Sequence, residues 1–189
     1  MFTAGRAYEQ VRNSVAYPRL NVKVVGSHGG LSVGEDGATH QCVEDLALMR
    51  VIPGMTVVNP CDGAEMRAAV QALIDYDGPA DLRLGRSAVE TVTEYESGKH
   101  TFQLGKGVTL REGKDVTIVA TGMMVQLALQ AAELLAAEGI DARVLDIHTV
   151  KPLDTELILK AAKETGAIVT SEEHSVIGGL GGPVAEFLY

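Results

Sequence analysis

The chain has no tryptophan, only three phenylalanines and only two cysteines among its 189 residues. Cys42 and Cys61 form no CxxC pair and stand near no grouping typical of metal ligands. This argues against a disulfide-stabilised scaffold and makes a reducing, cytoplasmic setting the expectation. Few aromatics beside 21 glycines and 46% apolar residues indicate an α/β protein with short elements, tight turns and enough material for a core.

Positive charge is also in deficit, with 16 lysines and arginines against 25 acidic residues and a net charge of -9. Nucleic acid is therefore not an expected partner, because binding its phosphates requires a basic face. Any phosphate that the protein binds has to meet a local group of cations. The sequence contains no apolar run near the roughly 20 residues of a membrane span, and its start lacks the features of a signal peptide. We therefore expect a soluble protein without a membrane partner.

Strand-like and helix-like segments alternate along the chain. Periodicity predicts strands at residues 22–25, 55–58, 81–84, 116–120, 142–147 and 167–170. It predicts helices at residues 4–16, 43–50, 124–137, after a cap at Asp62, after a cap at Asp154 and from Pro183. On the helix after Asp62, one apolar face is predicted to hold Met66, Val70, Leu73 and Ile74. The alternation predicts the α/β class, with two open, mostly parallel sheets that carry helices on both faces.

A polar segment rich in Glu, Thr and Ser divides the chain into two parts. We predict a first domain at residues 1–87, a linker at 88–104 and a second domain at 105–189. The first part opens with a helix that no strand precedes, and the second stops inside or just after a helix. Both sheets are therefore expected to be incomplete, as in a fragment of a longer protein.

The segment with the most chemistry is the glycine-rich loop at residues 27–41. It contains two histidines and two carboxylates among four glycines, after a predicted strand and before a predicted helix. Ligand sites of α/β folds lie at such strand ends, and a loop of this length is usually functional. Histidine exchanges protons near neutral pH, and glycine lets a ligand approach the backbone. Without further information, a solvated turn explains the same residues.

Four motifs of this sequence resemble the transketolase family in order, spacing and length. They are GEDGATHQ at residues 34–41, IPGMTVVNPCD at 52–62, DVTIVATG at 115–122 and KPLD at 151–154. The resemblance extends over the chain and implies the pyrimidine-binding domain followed by the C-terminal domain, as in the C-terminal subunit of split bacterial transketolases.

The resemblance implies a role for five residues. His28 matches a histidine that meets the phosphate or the distal hydroxyls of the sugar. Asp36 matches an aspartate that hydrogen-bonds a donor hydroxyl and helps to set the stereochemical preference. His40 matches a histidine beside the reacting carbon and the cofactor. Together these three are the predicted catalytic residues. Arg86 matches the arginine that binds the sugar phosphate, a task that suits the planar guanidinium. Phe2 matches an aromatic residue stacked around the aminopyrimidine ring, although a plain core position explains it equally well.

The resemblance also implies partners that this sequence does not contain. The cofactor is thiamine diphosphate, of which this chain would meet the pyrimidine side only. The diphosphate and its Mg²⁺ or Ca²⁺ would bind to an N-terminal transketolase domain or subunit, and no metal is assigned to this chain. The glutamate that drives the family's chemistry belongs to a segment upstream of Met1. We expect a homodimer or heterotetramer that acts on sugar phosphates in the pentose phosphate pathway, with this chain inactive alone.

Two positions depart from the family pattern, and Arg83 and one three-residue segment have interpretations outside the active site. Gly5 stands where a stacking tyrosine is usual, and Asp81 occupies a strand position that is normally apolar. A buried carboxylate there would need a partner. Arg83 is interpreted as a structural ion-pair partner. The segment Glu172-Glu173-His174 is expected at an inter-subunit surface, without a metal.

Three alternative functions stay open. Deoxyxylulose-phosphate synthase and the β subunit of a 2-oxo-acid dehydrogenase share the architecture implied by the resemblance. His28 and the Thr39-His40-Gln41 triplet favour transketolase over both. The third alternative is a non-catalytic assembly module that keeps the fold without the reaction.

Overall fold

The computed structural model describes residues 1–189 and contains two four-stranded sheets. The strands are β1 (Lys23–Gly26), β2 (Thr56–Val58), β3 (Ala80–Arg83), β4 (Val108–Arg111), β5 (Val116–Ala120), β6 (Ala142–Asp146), β7 (Thr149–Lys151) and β8 (Ile168–Ser171). The helices are α1 (Tyr8–Gln10), α2 (Asp45–Val51), α3 (Gly63–Asp75), α4 (Met124–Ala137), α5 (Thr155–Glu164) and α6 (Gly181–Leu188). Two wide-turn π-helical segments, Phe2–Arg6 and Val11–Ala16, flank α1.

The first sheet has the strand order β1-β3-β2-β7, and β3 runs parallel to both of its neighbours. One face packs against α2 and the N-terminal helical residues, through a core that includes Leu46, Met49 and Val57. The other face packs against α3 through Ala69 and Leu73. Both faces are therefore covered, which explains why β2 is buried at every position.

The second sheet has the order β4-β6-β5-β8, with β5 parallel to β6 and β8 and with β4 antiparallel at one edge. α4 covers one face through Val125, Ala128 and Ala132. α5 and α6 cover the other face through residues such as Ile158 and Val184. The predicted class, two mostly parallel α/β sheets with helices on both faces, is confirmed.

Two strands escaped the sequence prediction, and both are antiparallel edges. β4 is half-buried along its length, so it lacks the continuous apolar run of the central strands. β7 has three residues and pairs with β2 of the first sheet, although it follows β6 of the second sheet in the chain. The predicted domain bounds, at residues 87 and 105, stay a prediction. The chain nevertheless returns to the first sheet at β7, well after residue 105.

The predicted face of α3 is partly wrong. Leu73 is buried, but Ile74 is 66% exposed, and the small residue Ala69 takes the inward position instead. The predicted caps are confirmed, because Asp62 accepts from the Glu65 amide at 2.8 Å and Asp154 accepts from the Leu157 amide at 3.2 Å.

None of the helices combines the length and the apolar character needed to cross a bilayer.

Candidate active site

The glycine-rich loop leaves the carboxyl end of β1 and lies beside the end of β3. The amide of Leu84 donates to the Gly26 carbonyl at 2.8 Å, and the amide of Gly29 donates to the Leu84 carbonyl at 3.0 Å. Both strands are parallel, so their carboxyl ends meet at one edge. The loop and the residues after β3, including Arg86, therefore come together at the usual position of an α/β ligand site.

Four of the five predicted site residues line one pocket of about 230 Å³ at this edge. Its full lining is Met1, Phe2, Thr3, Ser27, His28, Val33, Asp36 and His40. The side chains of His28, Asp36 and His40 belong to exposed residues, and Phe2 is 47% exposed. The structure therefore brings these groups together on one open wall.

His28 has a left-handed backbone, with φ of 64°, which a residue with a side chain rarely adopts. Gly29, the next residue, lies very close to side chains beneath the loop. A Cβ at Gly29 would lie 2.7 Å from Arg83 Nε and 2.9 Å from an Asp45 carboxylate oxygen. Glycine is required there, and the strained backbone of His28 turns its side chain into the pocket, where Nδ1 lies 2.9 Å from Ser27 Oγ.

His40 and Phe2 form the aromatic part of the wall. Their ring centroids are 5.3 Å apart and the planes are inclined by 81°, which is a favourable edge-to-face arrangement. Nδ1 of His40 lies 3.0 Å from Thr39 Oγ1, so Nε2 is the ring nitrogen left for a ligand. The Arg6 guanidinium lies 4.8 Å from the Phe2 centroid, over one face of that ring.

Arg86 is exposed and lies against the loop rather than in the lining of the pocket. Its Nη1 donates to the Val33 carbonyl, and a Cβ at Gly34 would be 3.6 Å from the same nitrogen. This contact puts a cation next to the segment that carries Asp36. A guanidinium with one N–H bound to the protein has four others for an anion.

Arg83 lies beneath the loop and forms a structural ion pair, as its interpretation from the sequence required. Its Nε donates to Asp45 Oδ2 at 2.7 Å, and both side chains are at least nine-tenths buried. Asp81 lies on the same strand and is 5% exposed. Burial, with the nearby Asp45 carboxylate, raises the pKa of Asp81 to about 7, although Arg83 acts in the opposite direction. The unusual carboxyl is therefore largely protonated below neutral pH.

Sequence reasoning missed the part of the second sheet that touches the loop. Glu173 and His174, which follow β8, pack against the glycine-rich loop and α2 of this same chain. The His174 side chain has no exposed area and packs within this chain, while the expected inter-subunit surface stays a prediction. Titratable residues directly after a parallel strand were the available signal.

The one group of side chains with metal-like spacing lies elsewhere. Cys61, Glu65 and Asp146 offer ligand atoms within 4.8 Å of one another, and all three are buried. The Cys61 thiol donates to Asp146 at 3.4 Å, and Tyr95 donates to Glu65 at 2.9 Å. Burial and the neighbouring Glu65 carboxyl raise the pKa of Asp146, which favours the protonated form of that side chain. We interpret this group as a structural link between the sheets.

Two family models match the chain and leave only residues 92–104 between them. The transketolase pyrimidine-binding domain matches residues 1–91, and the transketolase C-terminal domain matches residues 105–189. A 6-deoxy-6-sulfo-D-fructose transketolase subunit of Clostridium sp. (strain MSTE9) is 51% identical over 99% of this chain and 57% of that protein. An apulose-4-phosphate transketolase subunit of Phocaeicola vulgatus is 48% identical over 99% of this chain and 59% of its own length.

A solved structure agrees with these sequence relatives. It is a split gene transketolase in an inactive β4 tetramer, with a TM-score of 0.91 and 53% identity over 99% of this chain and 60% of that one. More distant is a 1-deoxy-D-xylulose-5-phosphate synthase of Heliobacterium modesticaldum, 45% identical over 97% of this chain but 28% of that protein. The chain thus spans less than two thirds of the length of each of these proteins.

Proposed function

Because the chain belongs to the transketolase family, we propose that it forms the pyrimidine-side wall of an active site that transfers a two-carbon ketol unit between sugar phosphates. The observation that carries this proposal is the meeting of Phe2, His28, Asp36 and His40 in one open pocket. The reaction would belong to the pentose phosphate pathway in the cytoplasm. The transketolase subunits that act on sulfofructose and apulose phosphate make related sugars further candidates.

Each residue of the wall has a chemical task in this proposal. His28 and Asp36 hydrogen-bond sugar hydroxyls, and Asp36 selects the donor by its configuration. His40 presents Nε2 to the reacting oxygen, where it holds or releases a proton. Arg86 binds the phosphate group with the N–H groups that Val33 leaves free.

The residues present fit the pyrimidine end of thiamine diphosphate. Phe2 offers a half-exposed aromatic surface with the His40 edge beside it, as a flat heteroaromatic ring requires. When bound, the cofactor supplies the chemistry that cleaves and forms the carbon–carbon bond. Gly5 adds no ring to this surface, so the stack would be thinner than a tyrosine would make it.

The open wall requires a second polypeptide to close the site. We propose an N-terminal, diphosphate-binding transketolase subunit as that partner, which would also hold the Mg²⁺ or Ca²⁺. The split gene transketolase is inactive as a β4 tetramer, which supports inactivity of this chain alone. The assembly would be a homodimer of complete units or a heterotetramer.

Reconstitution tests this proposal. The complete subunit is mixed with its diphosphate-binding partner, thiamine diphosphate and Mg²⁺, and turnover of xylulose 5-phosphate is compared with turnover of pyruvate. Ketol transfer from xylulose 5-phosphate supports the proposal, whereas a preference for pyruvate favours the synthase or dehydrogenase alternatives. Absence of turnover and of cofactor binding with the partner present favours an assembly module. Substantial turnover without the partner would refute the requirement for a second subunit.

Within that assay, Arg86→Ala tests the phosphate site. We expect KM for the sugar phosphate to rise about tenfold to hundredfold, because one charge-assisted contact is lost. KM for a donor without a phosphate should change little. Arg67→Ala is the matched control, since Arg67 makes an exposed pair with Glu96. Equal effects on both donors would contradict the role of Arg86.

A further inference from the structure

The segment after β8 runs from the second sheet to the glycine-rich loop and forms hydrogen bonds with that loop. We propose that Glu173 is a positioning residue that fixes the loop between His28 and Asp36 for the sugar. This inference rests on the proposed function, in that the positioned residues are the ones assigned there to the substrate. Glu173 would thus act on the substrate site although it does not line the pocket itself.

Glu173 makes two hydrogen bonds to one loop residue. Its carboxylate accepts from the Ser32 amide, and its Oε2 lies 3.1 Å from Ser32 Oγ. Ser32 lies between the two substrate residues in the sequence, four positions after His28 and four before Asp36. An anchor at this point limits the movement of the loop on both sides.

The packing leaves room for this anchor only because Gly30 has no side chain. A Cβ on Gly30 would overlap the carboxyl group of Glu173, and Gly30 also has φ of 88°. The amide of Gly30 donates to the Cys42 carbonyl at 2.7 Å, so the backbone beside Glu173 is tied on its other side as well. The glycine and the glutamate form a close fit between the two sheets.

The backbone around Glu173 is itself bound by residues of β3 and of the segment that begins α2. Arg83 Nη2 donates to the Glu173 carbonyl at 2.8 Å while its Nε binds Asp45. The buried His174 ring lies 3.7 Å from Asp45, and the amide of Ser175 donates to the Val43 carbonyl at 2.8 Å. The carboxylate thus projects from a fixed backbone, and this separates an anchor from a chance surface contact.

This network also gives Arg83 and Asp45 a use beyond their own ion pair. The pair is buried, and an isolated buried ion pair adds little to stability. Here it couples three segments, namely the end of β3, the start of α2 and the residues after β8. The position of Glu173 therefore follows from the geometry at the carboxyl end of β3, next to the pocket.

Hydrogen exchange and kinetics of the complete subunit with its partner test the proposal. For Glu173→Ala we expect amides 30–36 to exchange about tenfold faster, because the loop loses its anchor, while β5 keeps its protection. We expect kcat/KM for the sugar phosphate to fall about tenfold to hundredfold, since a small misplacement of substrate-binding groups has effects of this size. Glu133→Ala, at an exposed position of α4, is the control and should match wild type.

Two more variants separate positioning from general damage. Glu173→Gln keeps an acceptor for the Ser32 amide, so it should recover most of the activity and of the slow exchange. Ser32→Ala removes the hydroxyl contact, and its effect should be smaller in the Glu173→Ala background than alone. Wild-type exchange at residues 30–36 in Glu173→Ala, or full additivity with Ser32→Ala, would overturn the proposal. Faster loop exchange in an assembly that shows no ketol transfer in wild type would support the anchor and refute the proposed function.

Discussion

Asp81 and Arg83 are two residues apart on β3, so their buried side chains lie on the same face of the sheet, beneath the glycine-rich loop. Arg83 is neutralised by Asp45, whereas Asp81 has no cation of its own, and burial keeps it largely protonated below neutral pH. This accounts for a carboxyl at a strand position where an apolar residue is expected. It also gives the stability of the protein one contribution that depends on pH.

The pKa of Asp81 is raised from the ordinary aspartate range, near 3.9 in an unfolded chain, to about 7. Between these values the folded state binds more protons than the unfolded state, so stability falls as pH rises from about 4 to about 7. Asp81→Asn removes this dependence. At pH 8 we expect the variant to be more stable than wild type by up to about 4 kcal/mol.

Urea unfolding at pH 4.5 and pH 8 would measure this difference. Near the lower pH the two proteins should unfold at similar urea concentrations, because Asp81 is then neutral in the folded wild type. Asp75→Asn, at an exposed position, is the matched control. An Asp81→Asn variant less stable than wild type at pH 8 would show that the carboxylate has a favourable partner.

At the scale of elements, Asp62 does more than cap α3. Besides the Glu65 amide, its carboxylate accepts from the amides of Val92 and Thr93, each at 2.8 Å, and from Thr93 Oγ1 at 2.9 Å. Burial alone would raise the pKa of Asp62, but these hydrogen bonds outweigh it and lower the pKa. The first part of the predicted linker is therefore bound to the residue that caps α3.

Asp62→Asn should destabilise the protein at neutral pH by about 1–3 kcal/mol, since an amide accepts fewer hydrogen bonds and carries no charge. The lowered pKa means that this stability is present above the unfolded value near 3.9 and is lost as pH falls through the folded value. The difference from wild type should therefore shrink at pH 3.

Unfolding by urea at pH 7 and pH 3 gives the comparison. Asp154→Asn serves as the matched variant, because Asp154 also caps a helix and its carboxylate accepts from one further amide, that of Gly107. We expect a smaller loss for Asp154→Asn at pH 7. Because Asp154 also pairs with the partly exposed Lys106, a loss in Asp62→Asn smaller than that in Asp154→Asn would contradict a contribution from the contacts to Val92 and Thr93.

At the scale of the whole molecule, the two sheets are connected in several ways. β7 completes the edge of the first sheet, and Val150 on β7 lies in the core beneath that sheet. Cys61 belongs to the core under α4, and Asp146 of β6 meets Glu65 of α3. Lys151 Nζ also donates to the carbonyls of Arg50 and Ile52, at 2.7 and 2.5 Å. These contacts predict that the sheets unfold together.

Val150→Ala tests this cooperativity. The buried side chain contributes about 2 kcal/mol, and its loss should lower the protection of β3 and β5 against hydrogen exchange by the same amount. Val169→Ala on β8 is the control, since Val169 is 53% exposed. If β5 keeps wild-type protection in Val150→Ala while β3 loses it, the two sheets are separate folding units.

From the amino-acid sequence alone we could predict the fold class, the central strands, the helix caps at Asp62 and Asp154, and the loop that carries His28, Asp36 and His40. These features depend on local periodicity, capping chemistry and glycine content, all of which are read within a short window. Tertiary packing, in contrast, was needed to show which sheet β7 joins, which face of α3 is buried and why Asp81 is tolerated. The partner of Ser32 belongs to this second group as well. Glu173 is 141 positions away from Ser32, and contacts at such separations arise from the packing of the two sheets, which no local pattern encodes.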